Sequence, residues 1–446
     1  MNTAVSYDLS LSDAWAAGLA SLEIISANEA LRLHHALQRI GRDWPADSSP
    51  RYDELANLFN HLDAQLVSLM REDEDEQLAL DFLATRSATA RYLSVGRALL
   101  RAHAQHIVRA LNDVKHSLLT QAGKALSLRI IIPVNLSPTL AAQALVGWAY
   151  QFADMAEQLV AWRAHADRCP VTVGEGAGML FEQDPRPLAR ALDFSAVSSC
   201  AARELSSTAA SPEEERFFVL TGQVKALCRE FEQQVQLWEN VGFVKRAGNS
   251  EQVRSAQTSP AQGEPAQGEP AQGEPAQGEP TLPHDDSHAL IVKLTALAHM
   301  VERLEWDEPG CEKACSWKLA APDVVAWLVV HQYVHPTLAE QVVLKFLEDR
   351  DTSSAQAESA EVAASRASEA PRTSESPSTS DAPSSKECEQ MLLAAGVAPA
   401  AMTGKLPVSA LKNLWSAAGS VEAHKSLGGS AAKRVDEQIK ELATRP

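Results

Sequence analysis

Three pairs of histidines and one pair of cysteines stand at spacings that chemistry could use. His34–His35, His103/His106 and His331/His335 are separated as two imidazoles would be if one helix offered them to a metal ion. None has a Glu or Asp companion in a recognisable ligand set, so they read as surface or boundary histidines of helices. Cys311 and Cys315 are close neighbours, while Cys169, Cys200, Cys228 and Cys388 are scattered. No His or Cys surrounds the pair at zinc spacing, so the expectation is reduced structural thiols in a cytoplasmic protein, with no metal and no cofactor.

The elements that would position such groups are helices. In 446 residues there are only 21 Gly and 5% aromatics, and Ala and Leu are abundant, a mix that favours an all-α chain over a sandwich or barrel. Apolar side chains recur every seven residues at Leu93, Leu100, Ile107 and Val114, with a second row at Ala104, Leu111 and Leu118. Further seams run through Leu145, Trp148, Phe152, Met155 and Leu159, through Phe217, Val224, Phe231 and Trp238, and from Leu290 to Leu304. Spacing near 3.5 residues puts each seam on one face and favours near-parallel packing of long helices. Ser211, Pro212 and Glu214 read as the N-cap, N1 and N3 of one such helix, and Ser26 and Glu29 as a capping box in a smaller helical region near the N-terminus. Helices apolar on more than one face suggest that partner subunits cover them.

Two segments read as disordered insertions. Residues 248–283 carry four copies of Ala-Gln-Gly-Glu-Pro, from Ala261 to Pro280, and residues 351–386 are largely Ser, Ala, Glu, Thr and Pro. The charge balance is 40 Lys+Arg against 58 Asp+Glu, a net −18 that argues against nucleic-acid binding. No uncharged apolar run approaches the ~20 residues of a membrane span. Met1 to Trp15 carries acid and no basic stretch, unlike a signal peptide.

Specific strings resemble argininosuccinate lyase, of the fumarase/aspartase superfamily. Gly419-Ser-Val-Glu-Ala-His-Lys-Ser-Leu-Gly-Gly-Ser430, followed by Val435-Asp-Glu-Gln-Ile439, is similar to that family's C-terminal Ser-Val-x-x-Arg-x-Ser-x-Gly-Gly-Thr run and its Val-x-x-Gln-Ile helix. Asp323-Val-Val-Ala-Trp-Leu-Val329, Asp53-Glu-Leu-Ala, His61 to Leu66, Cys169-Pro170 with Gly174-Glu-Gly-Ala-Gly178, and Glu239 to Val244 resemble other family stretches, in the same order along the chain. The resemblance implies three helical domains, at residues 1–85, 86–305 and 306–446, around a central bundle of long helices. It also implies a homotetramer with active sites shared between subunits, and elimination of fumarate from argininosuccinate in arginine biosynthesis.

The chain departs from the family's three chemical motifs. Where the family has Arg-Ser-Arg-Asn-Asp at the start of a long helix, this chain has Arg86-Ser87-Ala88-Thr89-Ala90. Arg86 and Ser87 are the remaining substrate-binding candidates, at a helix start suited to an anion. Where the family has Thr-His between two prolines ten residues apart, Pro133 and Pro138 are five apart and enclose Val-Asn-Leu-Ser, in which Asn135 and Ser137 read as turn residues. The family's mobile serine loop should follow Val244, but the chain runs from Lys245 to Arg254 and into the repeats, with Ser250 and Ser255 in no matching context. Trp15 stands in place of a family His. No catalytic residue is identified. The sequence thus points to a non-catalytic or strongly diverged lyase-like subunit or scaffold, in a homo-oligomer or with an intact paralogue, retaining at most an argininosuccinate-like small molecule as ligand. The alternative is an active lyase on argininosuccinate or a related N-substituted aspartate with a rebuilt site. A third reading makes the repeats and the Ser-rich insertion an interaction region.

Overall fold

A computed structural model describes residues 3–45, 51–135, 137–179, 182–205, 211–246, 286–366, 382–398 and 406–445. The pentapeptide repeats, with Ser250 and Ser255, lie outside the described residues. The chain opens with α1 (Thr3–Ser21), α2 (Ala27–Asp43), α3 (Leu55–Glu72) and α4 (Glu76–Ala84). The 40-residue α5 (Ala88–Ser127) leads to a hairpin of β1 (Ile131–Val134) and β2 (Ser137–Leu140), and then to α6 (Ala141–His165). Next come β3 (Arg168–Cys169), α7 (Pro185–Ala191), β4 (Ala196–Val197), α8 (Ala201–Glu204), α9 (Pro212–Asn240) and β5 (Val244–Arg246). The chain continues with α10 (Ser287–Glu302), β6 (Leu304–Trp306), α11 (Glu308–Ala314), α12 (Ala321–Gln332) and α13 (Pro336–Arg366). It closes with α14 (Ser385–Ala394), α15 (Leu406–Leu414), α16 (Ala417–Ala423) and α17 (Ala432–Thr444). The fold is mostly helical. Its few strands form two-stranded pairs, β1 with β2 and β5 with β6 antiparallel and β3 with β4 parallel.

The chain groups into two compact units, each made of three stretches. The first is Met1–Val114, Gln151–Glu230 and Ala256–Leu297; the second is Lys115–Tyr150, Phe231–Ser255 and Ala298–Pro446. In the first, α1 packs on α2 and α7, and α3 on α2 and α4. Helix α2 forms for the reason its sequence gives: the Ser26 hydroxyl accepts the Glu29 N–H, and the Glu29 carboxylate accepts the Ser26 N–H. Trp162 of α6 stacks near Phe217 of α9, with ring centroids 4.9 Å apart, and donates its indole N–H to the Glu213 carbonyl at 2.8 Å. In the second unit, Trp148 of α6 meets Phe231 of α9 edge-on at 5.2 Å, and Gln121 of α5 donates to the Glu302 carbonyl at the end of α10 at 2.7 Å. A second core there joins Val324 and Leu328 of α12, Ala339 and Val343 of α13, Leu392 of α14 and Trp415.

The seven-residue seam is buried throughout: Leu93 is 5% exposed, and Leu100, Ile107, Val114, Leu111 and Leu118 are each at 0%. Burying such side chains contributes about 1.5–3 kcal/mol each and is what selects these helices. Ser211 and Glu214 do flank the start of α9, but both also serve a buried Arg97, whose guanidinium donates to the Ser211 hydroxyl and the Glu214 carboxylate.

Of the stretch 351–386, the described residues are 351–366, which α13 includes, and 382–386, where α14 begins at Ser385; the rest lies outside the described residues. Between 351 and 366 lie five Ala and two Glu, with no Gly or Pro, a composition whose helix propensity sustains the helix. Helices α12 and α13 are separated by a sharp break. Tyr333 turns left-handed at φ +54°, and Pro336, which has no N–H to donate, opens α13.

Candidate functional site

A cavity of about 390 Å³ in the first unit is built where four pieces of chain converge. Leu11 and Trp15 come from α1, Thr85 from the end of α4, Arg86 and Ser87 from the start of α5, and Glu175 from the loop Gly174–Gly178. Trp15 is fixed as a wall by its indole N–H, which donates to the Thr85 hydroxyl at 3.0 Å.

Arg86 and Arg91 both line this cavity, and the Arg86 side chain is only 8% exposed. Two carboxylates lie near it, Asp8 buried and Asp63 partly exposed, but Arg91 takes both. The Arg91 guanidinium holds Asp8 through Nε at 2.6 Å and Nη2 at 2.7 Å, and holds Asp63 through Nη1 at 2.7 Å. It also lies 4.3 Å over the Phe59 ring. Arg86 is left with longer contacts, 3.4 Å to Asp8 and 3.7 Å to Asp63. Burial, and then repulsion from Arg91, push its pKa down to about 10, while Asp8 and Asp63 oppose the fall. Arg86 therefore stays charged at neutral pH, with N–H donors that no close carboxylate occupies.

The start of α5 is already capped from within. The Ser87 hydroxyl accepts the Ala90 N–H at 2.9 Å. The Glu175 carboxylate accepts from the Thr89 hydroxyl at 2.7 Å. That bond is the largest cause holding the Glu175 pKa below the usual carboxylate range; desolvation opposes it, and the Ser87 hydroxyl and the Thr89 and Ala88 N–H groups add smaller lowering effects. The loop that delivers Glu175 depends on glycine. Gly174, Gly176 and Gly178 sit at φ +53°, +116° and +106°, and a Cβ on Gly174 would lie 1.9 Å from the Gly178 carbonyl oxygen.

The structure brings Arg86 and Ser87 together in this cavity. Asn135 and Ser137 belong to the β1–β2 hairpin of the second unit, where Asn135 turns at φ +49° and Pro133 pairs with Pro138 across the ladder. His34 binds Asp13 at 2.7 Å and Gln38 at 2.8 Å, and His331 tilts against Trp327 at 5.9 Å. The sequence did not single out Glu175 or the Asp8–Arg91–Asp63 group. Glu175 had a signal, an acid flanked by glycines in Gly-Glu-Gly-Ala-Gly. The buried ion group had none, because its members lie 28 and 83 positions apart. A further polar knot in the second unit joins two of the strings quoted above. His424 bridges Asp323 at 3.0 Å and the Ser430 hydroxyl at 3.2 Å, and the Ser420 hydroxyl donates to the other oxygen of Asp323.

No family model matches the chain. Among curated proteins it is similar to the argininosuccinate lyase of Bifidobacterium longum subsp. infantis, 25% identical over 214 residues, covering 43% of each chain. It is also similar to that of Leifsonia xyli subsp. xyli, 26% identical over 245 residues, covering 53% of this chain and 50% of that one. The chain thus spans half or less of the length of these relatives. Among solved structures, an EDDS lyase in complex with formate matches with a TM-score of 0.70 at 13% identity, over 100% of this chain and 86% of that one. The 3-carboxy-cis,cis-muconate lactonizing enzyme from Pseudomonas putida gives 0.62 at 13% identity, over 99% and 95%. A fumarate lyase from Mesorhizobium sp. BNC1 gives 0.60 at 14%, over 99% and 96%. The fold is thereby defined: it is the mostly helical, long-helix fold of these lyases. Part of the chain's sequence is distantly similar to argininosuccinate lyases.

Among the described residues, no helix is long and apolar enough to cross a membrane.

Proposed function

We propose that the chain is an argininosuccinate-lyase-like protein that has lost the elimination chemistry and serves as a cytoplasmic subunit or scaffold of a helical oligomer. In this reading residues 1–85, 86–305 and 306–446 are the three parts of the subunit, and four subunits, of this chain or of an intact paralogue, make up the assembly.

The observation that carries the reading is the start of α5. Elimination needs a base for the carbon-bound proton, and donors for the substrate carboxylates and the charge that develops on them. Here the residues after Ser87 are Ala88, Thr89 and Ala90, and the hydroxyl of Thr89 is engaged by the chain's own Glu175. The short hairpin supports the same reading, since its Pro133–Pro138 pairing leaves room for neither a longer loop nor a histidine. Oligomerisation is supported by Val160, Val219, Leu237 and Val292 on the long helices, each more than half exposed.

Purified protein mixed with argininosuccinate is expected to give no rise in fumarate absorbance. Turnover at the rate of an ordinary lyase would overturn the proposal in favour of a rebuilt active site. Light scattering on the eluted protein tests the assembly, and a monomer at micromolar concentration would count against it.

A further inference from the structure

We propose that the cavity at the start of α5 takes a ligand bearing one carboxylate and one ammonium group, and turns away dicarboxylates, because Glu175 already holds the place of a second carboxylate. This rests on the proposed function only in placing the candidate site at this cavity, and it names the class of ligand that site accepts.

Charge accounting leads to the inference. Asp8, Asp63, Arg91 and Arg86 form a group of two acids and two bases, with no net charge. Within it the acids are bound closely by Arg91, so Arg86 is the member with donors left for a visitor. One carboxylate can meet the Arg86 guanidinium, and charge-assisted bonds of this kind are the strong ones in a largely apolar pocket. A second carboxylate would look for the donors at the start of α5, but Glu175 sits on them. The lining arginines, Arg86 and Arg91, are offset by Asp8, Asp63 and Glu175, so the five groups sum to −1 and leave no surplus cation for a second carboxylate.

A cationic group meets the opposite situation. Glu175 is a carboxylate at the cavity wall whose closest bond, to Thr89 at 2.7 Å, comes from a neutral hydroxyl. Glu175 is exposed, so its negative charge can attract an ammonium group from the open side of the carboxylate beside the Thr89 bond. The Gly176 and Gly178 N–H groups both donate to the Val173 carbonyl, at 2.9 and 3.0 Å, and Thr89 holds the Glu175 carboxylate, so Glu175 is a wall group of the cavity. The same cavity therefore offers a cation at one side and an anion at another, a pairing that fits a zwitterion.

The test uses two probes of matched chain length, succinate and 4-aminobutanoate, titrated calorimetrically into the full chain and into Glu175→Gln. Glu175 is exposed, so the neutral variant is expected to keep the fold. The wild-type protein is expected to bind 4-aminobutanoate at least about tenfold more tightly than succinate. In Glu175→Gln that preference should shrink at least about fivefold, with succinate gaining and 4-aminobutanoate losing. Equal or tighter binding of succinate by the wild type, an unchanged preference in Glu175→Gln, or no binding of either probe by either protein would each overturn the proposal. Fumarate release from argininosuccinate would overturn the proposed function instead, whichever way the selectivity falls, so the two failures are told apart.

Discussion

Arg97 of α5 and Glu214 of α9 meet at 2.8 Å, with the arginine side chain 1% exposed and the glutamate 0%. Glu204 approaches the same guanidinium at 2.7 Å and takes a hydroxyl bond from Ser198 at 2.5 Å, while Arg97 also donates to the Arg168 carbonyl at 3.1 Å. Burial by itself would lower the Arg97 pKa, but Glu214 and Glu204 together hold it above its ordinary value. Removing the shared cation strands two buried carboxylates, a loss of about 3–5 kcal/mol. Arg97→Met is therefore expected to melt well below the wild type by calorimetry. Glu204→Gln should cost less, because a neutral amide oxygen still accepts from the guanidinium. Equal melting temperatures for Arg97→Met and the wild type would refute the account of this cluster.

Glu175 makes its contribution to stability at neutral pH and loses it in acid. Its carboxyl is easier to ionise in the folded chain than in the unfolded one, so the contribution is complete above the ordinary value of 4.5 and fades as the pH falls through the lower folded value. Solvent screening keeps it below about 1 kcal/mol. Thr89→Val removes the largest cause, so a carbon-detected NMR titration of Glu175 should move up in that variant. An unmoved titration would show that Thr89 is not what holds the carboxylate ionised.

Five of the six cysteines should resist a thiol reagent in the native state. Cys200 is exposed, Cys315 is half-buried and the other four are buried. Desolvation pushes Cys169, Cys311 and Cys388 up to about 11 and Cys315 up to about 12, leaving very little thiolate at neutral pH. An aromatic disulfide reagent should therefore titrate one thiol quickly and the rest only in denaturant. Rapid reaction of three or more would contradict the burial.

His424→Ala should loosen the C-terminal segment without unfolding the chain. It removes the bonds to Asp323 and Ser430, and the Ser420 hydroxyl alone remains on Asp323. The side chain is 38% exposed, so water replaces part of what is lost and the cost should be about 1 kcal/mol. Hydrogen exchange should quicken at residues 419–431, and unchanged protection there would speak against the bridge.

The helices were legible because one physical requirement, an apolar face repeated along the chain, wrote Leu93, Leu100, Ile107 and Val114 at regular intervals. The capping box at Ser26 and Glu29 was legible for the same reason, since its partners are three residues apart. The site was only half legible. Arg86 and Ser87 were found from the short motif they share with a lyase family, whereas Asp8 and Asp63 look like any acid on a helix until folding brings them to Arg91. Glu175 stands in a glycine-rich loop, where the backbone angles of Gly174, Gly176 and Gly178, and not the residue type, decide where its carboxylate lands. The stretch 351–366 holds strong helix formers and no breaker, whereas Pro371, Pro377 and Pro383 follow it, so composition alone does not mark where α13 stops.

Each compact unit is stitched from three separate lengths of chain, and α5 alone contributes 88–114 to one and 115–127 to the other. No single scission therefore releases a self-sufficient half. A ribosome must reach Leu297 before the first unit has all its stretches to hand, by which point two of the second unit's three stretches are already made and wait for the one that begins at Ala298.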